Sequence, residues 1–402
     1  MLKSNRSNYR WYILTLAALT HTFVVAMPMM SMPVLFKEIS EDLDLSLVQI
    51  GTVWSMIPLA GMFVVLIGGL LGDRFGVKRT LSTICFLAGL AGALRGLSDN
   101  FTSLAVTMFL FGLLNASTPI NVHKVAGIWF PGRQLGLANG ILSLGMGLGF
   151  TAGAMISATI LSPLLGGWRN VLFLYGAVSI GISLLWLLTR SEPGRLESPT
   201  DYVSTVPFRR ALSRVVRIRG VWLLGLILLC RMACSTGMIG YLPLYLRELG
   251  WTAASADGAL AASNSASMMV AIPMVLLSGR LGSRKVVLFG AMLVTAISVA
   301  LLSVVGGAML WVLVIMANIT RDGFMAVIIT MITEKEGVGA MYAGTALGLA
   351  MTFSRVGGIV SPPLGNSLAG INPGLPFIFW AGWAAAGLFG FYFVKETARK
   401  QV

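Results

Sequence analysis

The sequence predicts an all-α polytopic membrane protein: twelve transmembrane helices in two pseudo-symmetric bundles of six. Three observations support this fold class: an apolar composition, twelve apolar runs split six and six by one polar linker, and an internal repeat. Of the 402 residues, 56% are hydrophobic, 11% are charged and the mean hydropathy is +0.84. Soluble domains carry roughly 25% charged residues. The long unbroken apolar runs favour helices, since a membrane β-barrel would show short alternating segments.

Runs of about twenty apolar residues mark the spans. We place them near 11–36, 46–72, 79–97, 101–129, 134–163, 168–189, 220–247, 253–279, 285–305, 307–333, 341–368 and 374–394. One long polar stretch separates the sixth run from the seventh. The sequence therefore predicts an N-terminal six-helix bundle over 1–189, a cytoplasmic linker over 190–219 and a C-terminal six-helix bundle over 220–402.

The lysines and arginines predict the orientation of these spans. With a cytoplasmic N-terminus, the termini and the loops on that side hold 21 of the 29 Lys and Arg, and the opposite loops hold three. Positive charge concentrates on the cytoplasmic side of membrane proteins. We therefore expect a multi-pass plasma-membrane protein, in the inner membrane of a bacterial cell, with both termini cytoplasmic. The net charge of +14 follows this topology, so it does not indicate a nucleic-acid partner.

An internal repeat relates the two halves. RFGVKR at 74–79, between spans two and three, returns as RLGSRK at 280–285, between spans eight and nine, an offset of 206 residues. Three glycines of span five return in span eleven at an offset of 208 (Gly136, Gly140 and Gly149; Gly344, Gly348 and Gly357). Two copies of six spans run parallel to each other. Such a repeat is typical of transporters whose substrate site lies near the membrane midplane between the halves.

The stretch GLLGDRFGVKR, from Gly69 to Arg79, resembles the signature loop of the major facilitator superfamily, and it lies between spans two and three as in that family. The resemblance implies a loop that holds the halves together in one state of an alternating-access cycle. The matching residues assigned to this conformational-gate loop are Gly69, Asp73, Arg74, Gly76, Lys78 and Arg79. The alternative is a basic loop that only sets the topology.

Two further stretches bear on the branch of that superfamily. KVAGIWFPGRQLGLANGI, at 124–141, resembles the junction of spans four and five in organic-anion symporters and nitrate- or cyanate-type porters. Proton-coupled drug antiporters of the superfamily carry a Gly-Pro in span five, but Ala154 stands where that proline would be. The resemblance therefore favours an anion-transporting branch.

Four charged residues lie deep within the apolar runs: Arg231 in span seven, Arg321 and Asp322 in span ten, and Arg355 in span eleven. Charges at the bilayer centre cost roughly 2.5–3.5 kcal/mol each on insertion scales, so they usually face a cavity or a partner. Adjacent helical residues point about 100° apart, so we expect Asp322 to pair with an arginine from span seven or eleven. Three arginines against one aspartate predict a positive site for an anion. The alternative is a satisfied internal network.

Other polar residues within spans are candidates for the same site. Asp322 is either the carrier of a coupling proton or a permanent counter-ion. His21 and Asn115 are candidate substrate contacts, and His21 is alternatively a packed histidine. Tyr241 either contacts substrate near the mouth of the site or belongs to the interfacial aromatic belt. No metal site is predicted, since the three cysteines show no zinc or redox spacing.

The sequence thus predicts a secondary active transporter that moves a small organic anion by alternating access, coupled to protons. The alternative is a proton-coupled exporter of drugs or metabolites on the same fold, and a third reading is a non-transporting membrane sensor. No catalytic constellation and no nucleotide-binding loop is present, so we expect neither an enzyme nor a cofactor. The expected partners are the anion, the proton and the lipid bilayer, and the expected state is a monomer.

Overall fold

A computed structural model describes residues 2–189 and 208–394. Within these ranges, the side chains of residues 2–8, 65–74, 133, 208–209 and 340 are not described. Every regular element in the described ranges is a helix. This confirms the predicted all-α fold class.

The described residues contain twelve helical segments that are long and apolar enough to cross a membrane, as predicted. They are called spans one to twelve: Tyr9–Asp42, Leu47–Val64, Val77–Leu97, Phe101–Trp129, Leu135–Leu165, Trp168–Leu188, Arg219–Glu248, Ala253–Leu281, Arg284–Leu301, Met309–Thr333, Met341–Leu368 and Leu375–Tyr392. The helices of spans two and eleven extend over Leu47–Phe75 and Gly339–Leu368. A short helix, Phe208–Val215, precedes span seven. The chain is therefore a multi-pass membrane protein.

Spans one, five and ten are interrupted within their length. Span one consists of the helices Leu2–Thr20 and Met27–Asp42 around a π-helical turn, His21–Ala26. Span five contains a second π-helical turn, Ser157–Leu161. Span ten is divided into Met309–Asn318 and Arg321–Thr333. Such interruptions of a helix are frequent at functional sites.

Contacts between Cα atoms divide the chain into two compact units. The first unit comprises Met1–Glu192 and Leu242–Ala261, and the second comprises Pro193–Tyr241 and Ala262–Val402. The end of span seven and the start of span eight thus pack with the first unit. The predicted bundle boundaries, 1–189 and 220–402, stay a prediction.

Glycines bring helices together within the first unit. A Cβ atom at Gly89 would lie 2.7 Å from the carbonyl oxygen of Gly176, which explains how spans three and six pack so closely. The hydroxyl of Ser183 donates to the Ser82 carbonyl across the same pair of spans, at 2.8 Å. Small residues let backbones approach where lipid offers no hydrophobic driving force.

The same glycine packing occurs in both units. A Cβ atom at Gly149 of span five would lie 2.6 Å from the Cβ of Ala26 in span one. A Cβ atom at Gly357 of span eleven would lie 3.1 Å from the Cβ of Ala233 in span seven. Gly149 and Gly357 are 208 residues apart in sequence, and their partners Ala26 and Ala233 are 207 residues apart. Both separations agree with the offset of the internal repeat.

Candidate anion-binding site

The break in span ten places Arg321 and Asp322 at the start of a new helix. The first helix ends at Asn318, and Thr320, with φ −93° and ψ 0°, is not helical. The Thr320 hydroxyl donates to the Ala291 carbonyl of span nine at 3.5 Å, which helps to hold the turn. The N-terminal end of a helix favours negative charge. This half-helix therefore stabilises the Asp322 carboxylate.

Arg321 and Asp322 form an ion pair with each other. Nε of Arg321 lies 3.0 Å from Oδ1 of Asp322, and Nη2 lies 3.4 Å from Oδ2. The expectation that Asp322 pairs with an arginine from span seven or eleven was wrong. That expectation assumed a continuous helix, whereas here the arginine side chain folds back on its neighbour at the first turn. The ion pair is local to span ten.

Span eight supplies the polar partners of this pair. Asn264 accepts a hydrogen bond at Oδ1 from Nη1 of Arg321, at 2.8 Å. The hydroxyl of Ser267 accepts one from the backbone N–H of Asp322, at 3.1 Å. Asn318 donates to the hydroxyl of Ser263 at 3.3 Å. Sequence analysis missed these residues, although the polar run SNSAS at 263–267 interrupts an otherwise apolar span.

Arg231 of span seven completes the charged cluster. It is 3% exposed, and its Nε and Nη2 atoms have no hydrogen-bond acceptor among the described residues. Its guanidinium carbon lies 5.6 Å from the ring centre of Phe324, at cation–π distance. Arg231 also interacts electrostatically with both Arg321 and Asp322. Two arginines and one aspartate give the cluster a net charge of +1, where the sequence predicted +2.

The other candidate residues have contacts of their own. Arg355 belongs to the same unit, and no ion pair joins it to an acidic residue in the described part of the chain. Asn115 belongs to the first unit and donates through Nδ2 to the Val25 carbonyl at 3.1 Å. Asn115 lies 207 residues before Asp322, so the repeat places an amide and a carboxylate at corresponding positions.

Tyr241 is buried among aromatic side chains. Its ring centre lies 5.9 Å from those of both Phe377 and Trp380, and its hydroxyl donates to the Pro373 carbonyl at 3.4 Å. This position is neither an exposed belt nor an open mouth. A substrate contact for Tyr241 stays a prediction.

His21 opens the π-helical turn of span one, where it is 1% exposed. Its Nδ1 atom lies 3.1 Å from the Leu142 carbonyl oxygen of span five. The packed alternative for His21 agrees with this burial. Its proposed role as a substrate contact has no direct support from the described contacts.

The gate-loop residues are described only in part. The side chains of Asp73 and Arg74 and the surroundings of Gly69 lie outside what the structure describes. Gly76 separates two helices with φ +80°, a conformation that L-residues with a Cβ atom rarely adopt. The Lys78 ammonium donates to the Thr189 carbonyl at the end of span six.

A buried ion pair lies in the first unit and was not predicted. Nη2 of Arg247 lies 2.8 Å from Oδ1 and 2.9 Å from Oδ2 of Asp257, which is 0% exposed. Thr159, in the π-helical turn of span five, donates to Oδ2 of Asp257 at 2.9 Å. The buried Asp257 and the half-buried Asp322 therefore each have an arginine partner.

Comparison with known proteins agrees with this architecture. A probable galactarate/D-glucarate transporter of Escherichia coli (strain K12) is 27% identical over 202 residues, 47% of this chain and 43% of that relative. The chain therefore matches less than half of that relative's length. A probable sulfoacetate transporter of Cupriavidus necator is 24% identical over 81% of this chain and 79% of the relative.

Among solved structures, a nucleoside transporter carrying one substitution matches with a TM-score of 0.80 at 13% identity, over 94% of this chain and 99% of that chain. This likeness shows the fold. The named relatives are transporters rather than enzymes, which confirms the expectation from the sequence. The sequence profile of the Major Facilitator Superfamily matches residues 14–362. The chain belongs to the Major Facilitator Superfamily.

Proposed function

We propose that the chain is a secondary transporter of small organic anions, and that Arg231 and Arg321 hold the acidic group of the anion. One observation carries this assignment. Arg231 is buried and presents two nitrogen atoms without a hydrogen-bond acceptor among the described residues, beside a second arginine. A buried, incompletely paired arginine is costly unless a ligand supplies the acceptor.

The chemistry of the site fits a carboxylate or a sulfonate. The planar guanidinium group donates two parallel hydrogen bonds, which match the spacing of oxygen atoms in these groups. Galactarate, D-glucarate and sulfoacetate, the anions in the names of the relatives, all carry such groups. The divided span ten adds a helix N-terminus, and broken helices commonly form the substrate sites of transporters.

Asp322 fits the role of counter-ion better than that of proton carrier. Its carboxylate faces Nε and Nη2 of Arg321, and its backbone N–H is held by Ser267. These interactions favour the ionised form. We propose that Asp322 orients Arg321 and limits the positive charge of the empty site.

The remaining predictions complete the proposal. Transport proceeds by alternating access and is coupled to protons, the loop from Gly69 to Arg79 acts as the conformational gate, and both termini are cytoplasmic. The protein works as a monomer in the plasma membrane.

The test is to reconstitute the protein and record charge movement on solid-supported membranes. The panel holds galactarate, D-glucarate, sulfoacetate, nitrate and a cationic drug. An anion response is expected. Arg231→Gln and Arg321→Gln should each weaken it roughly ten- to a hundredfold, the worth of a hydrogen bond to a charged group.

Two variants sharpen this test. Arg231→Lys keeps the positive charge but lacks the planar guanidinium group that donates two parallel hydrogen bonds. Its response to the anion should therefore lie between those of wild type and Arg231→Gln. Arg219→Gln removes an exposed arginine at the start of the same span and should change nothing. A response to the cationic drug alone would overturn the proposal in favour of a drug exporter.

A further inference from the structure

The two histidines of the chain, 102 residues apart in sequence, are in contact. The ring centres of His21 and His123 lie 5.4 Å apart, with an angle of 69° between the ring planes. His21 opens the π-helical turn of span one, and His123 lies on span four. The positions of the two histidines in the sequence do not predict this pairing.

The hydrogen bond of His21 fixes its tautomer. A backbone carbonyl oxygen can only accept, so the Nδ1 atom of His21, 3.1 Å from the Leu142 oxygen, must carry the proton. In the neutral ring, Nε2 then holds a lone pair. Nε2 is buried and has no hydrogen-bond partner among the described residues. A buried acceptor without a partner is unfavourable, and here it is a vacant position for a proton.

His123 is held in the same way but is exposed. Its Nδ1 atom lies 3.0 Å from Oδ1 of Asn139, so it donates to that amide oxygen and leaves Nε2 as the acceptor. Because His123 is exposed and contacts the buried ring, a proton can reach His21 by way of His123. Two imidazolium rings in contact would repel each other, so the pair takes up one proton at a time.

Among the described residues, neither ring is hydrogen-bonded to a carboxylate. Spans three to six carry no aspartate or glutamate. Lys124 follows His123 on span four, and the charged or titratable side chains of spans three and six include Arg95 and Tyr175. Arg95 is bound to the Pro28 carbonyl and lies over Phe111, and Tyr175 shares a hydrogen bond with Ser157. Span five adds no charged group. A bound proton therefore adds a full positive charge.

We propose that the His21–His123 pair is the binding site of the coupling proton, which enters at His123 and rests on Nε2 of His21. Proton uptake forms an N–H bond at Nε2 of His123. Transfer breaks that bond and forms one at Nε2 of His21, so His123 is neutral again, His21 becomes the cation, and its hydrogen bond to Leu142 stays intact. Release of the proton restores the original tautomer. This inference rests on the proposed anion transport.

The charge on the pair links proton and anion. A positive charge in the protein favours binding of an anion, and by thermodynamic reciprocity a bound anion favours uptake of the proton. Histidine is suited to this task because its neutral ring keeps one nitrogen with a lone pair that can take up a proton.

The experiment compares His21→Asn with wild type in proteoliposomes. The asparagine amide can still donate to the Leu142 carbonyl, but it cannot bind a proton. Two rates are measured with labelled galactarate, or with whichever anion the panel identifies. One is exchange at equal pH on both sides, which needs no net proton movement, and the other is uptake driven by a pH gradient.

His21→Asn is expected to keep exchange and to lose the response to the pH gradient. His123→Asn should slow the response, and Lys124→Gln, which removes the neighbouring charge, should retain it. Proton uptake on anion binding, measured by calorimetry in two buffers of different ionisation enthalpy, should be present in wild type and absent in His21→Asn. If His21→Asn does not reach the membrane, the exposed position His123→Asn carries the test.

A gradient response in both histidine variants equal to that of wild type would overturn the inference. So would loss of the response in Asp322→Asn together with its retention in His21→Asn. Failure of the underlying function looks different, because wild type would then exchange none of the anions at any pH.

Discussion

Arg247 and Asp257 form a buried ion pair in which one arginine nitrogen, Nη2, lies 2.8 Å from Oδ1 and 2.9 Å from Oδ2 of the carboxylate. Arg169 and Asp42 form an exposed pair of the same residue types, also at 2.8 Å. The two pairs share their chemistry and their distance and differ in exposure. They allow a direct test of how much burial changes the value of an ion pair.

Asp257→Ala should therefore destabilise the protein far more than Asp42→Ala. The first leaves Arg247 buried without its counter-ion, which costs about 3–5 kcal/mol. The second breaks an exposed pair, which is worth roughly 0–1 kcal/mol. The apparent melting temperature in detergent measures both. Equal shifts for the two variants would contradict the burial argument.

Gly149→Ala should destabilise the packing of spans one and five. The added methyl group would lie 2.6 Å from the Cβ of Ala26 and 2.8 Å from the backbone carbonyl oxygen of Thr22. Overpacking of this kind costs about 1–3 kcal/mol. Gly140→Ala on the same helix is the control, because its methyl group would meet nothing within 4 Å. Thermal unfolding in detergent should separate the two, and a melting temperature for Gly149→Ala at or above wild type would refute the close approach.

The internal repeat extends this prediction to the second unit. Gly357→Ala should destabilise, since its methyl group would press on Ala233 and on the Leu229 backbone. Gly344→Ala should be tolerated, because that position is open. Parallel behaviour of the glycine pairs in both units is the expected result. A melting temperature of Gly357→Ala equal to that of wild type would mean that the two copies of the repeat pack differently.

Asn264→Leu should weaken anion binding without removing any charge. Leucine has a similar size but cannot accept the hydrogen bond from Nη1 of Arg321. A hydrogen bond to a charged group is worth about 1.5–3 kcal/mol, and part of that loss should appear as a raised KM. Thr330→Val on span ten is the control, because that hydroxyl bonds only to the Ala326 carbonyl of its own helix. An unchanged KM in Asn264→Leu would show that Arg321 is positioned without span eight.

Asp322→Asn should raise the affinity for the anion and slow its release. The amide oxygen can still accept from Arg321, but the negative charge that offsets the two arginines is gone. Measured as a dissociation constant and a turnover rate, the expected result is tighter binding with slower transport. Weaker binding in this variant would mean that the charge of Asp322, and not only its hydrogen bonds, is needed to hold Arg321 in place.

Much of the fold could be predicted because its signals are local. Twelve apolar runs, the 206–208-residue repeat and the loop from Gly69 to Arg79 can each be recognised in sequence order. The charged residues Arg231, Arg321 and Asp322 stood out for the same reason, since a charge inside an apolar run needs an explanation. The pairing within span ten was not predicted, because a helix break at Ile319–Thr320 carries no glycine or proline to mark it.

The sequence by itself determined the number of spans, the repeat, the family resemblance and the presence of charged residues within spans. The length of an apolar run and the position of a charge within it can be recognised from consecutive residues. Only the tertiary structure decided which partners those charges have. Asn264 and Arg321, 57 residues apart in sequence, share a hydrogen bond, and so do Thr159 and Asp257, 98 residues apart. The rings of His21 and His123 are in contact. Such contacts depend on which faces of distant helices pack together, and helical periodicity does not specify that choice.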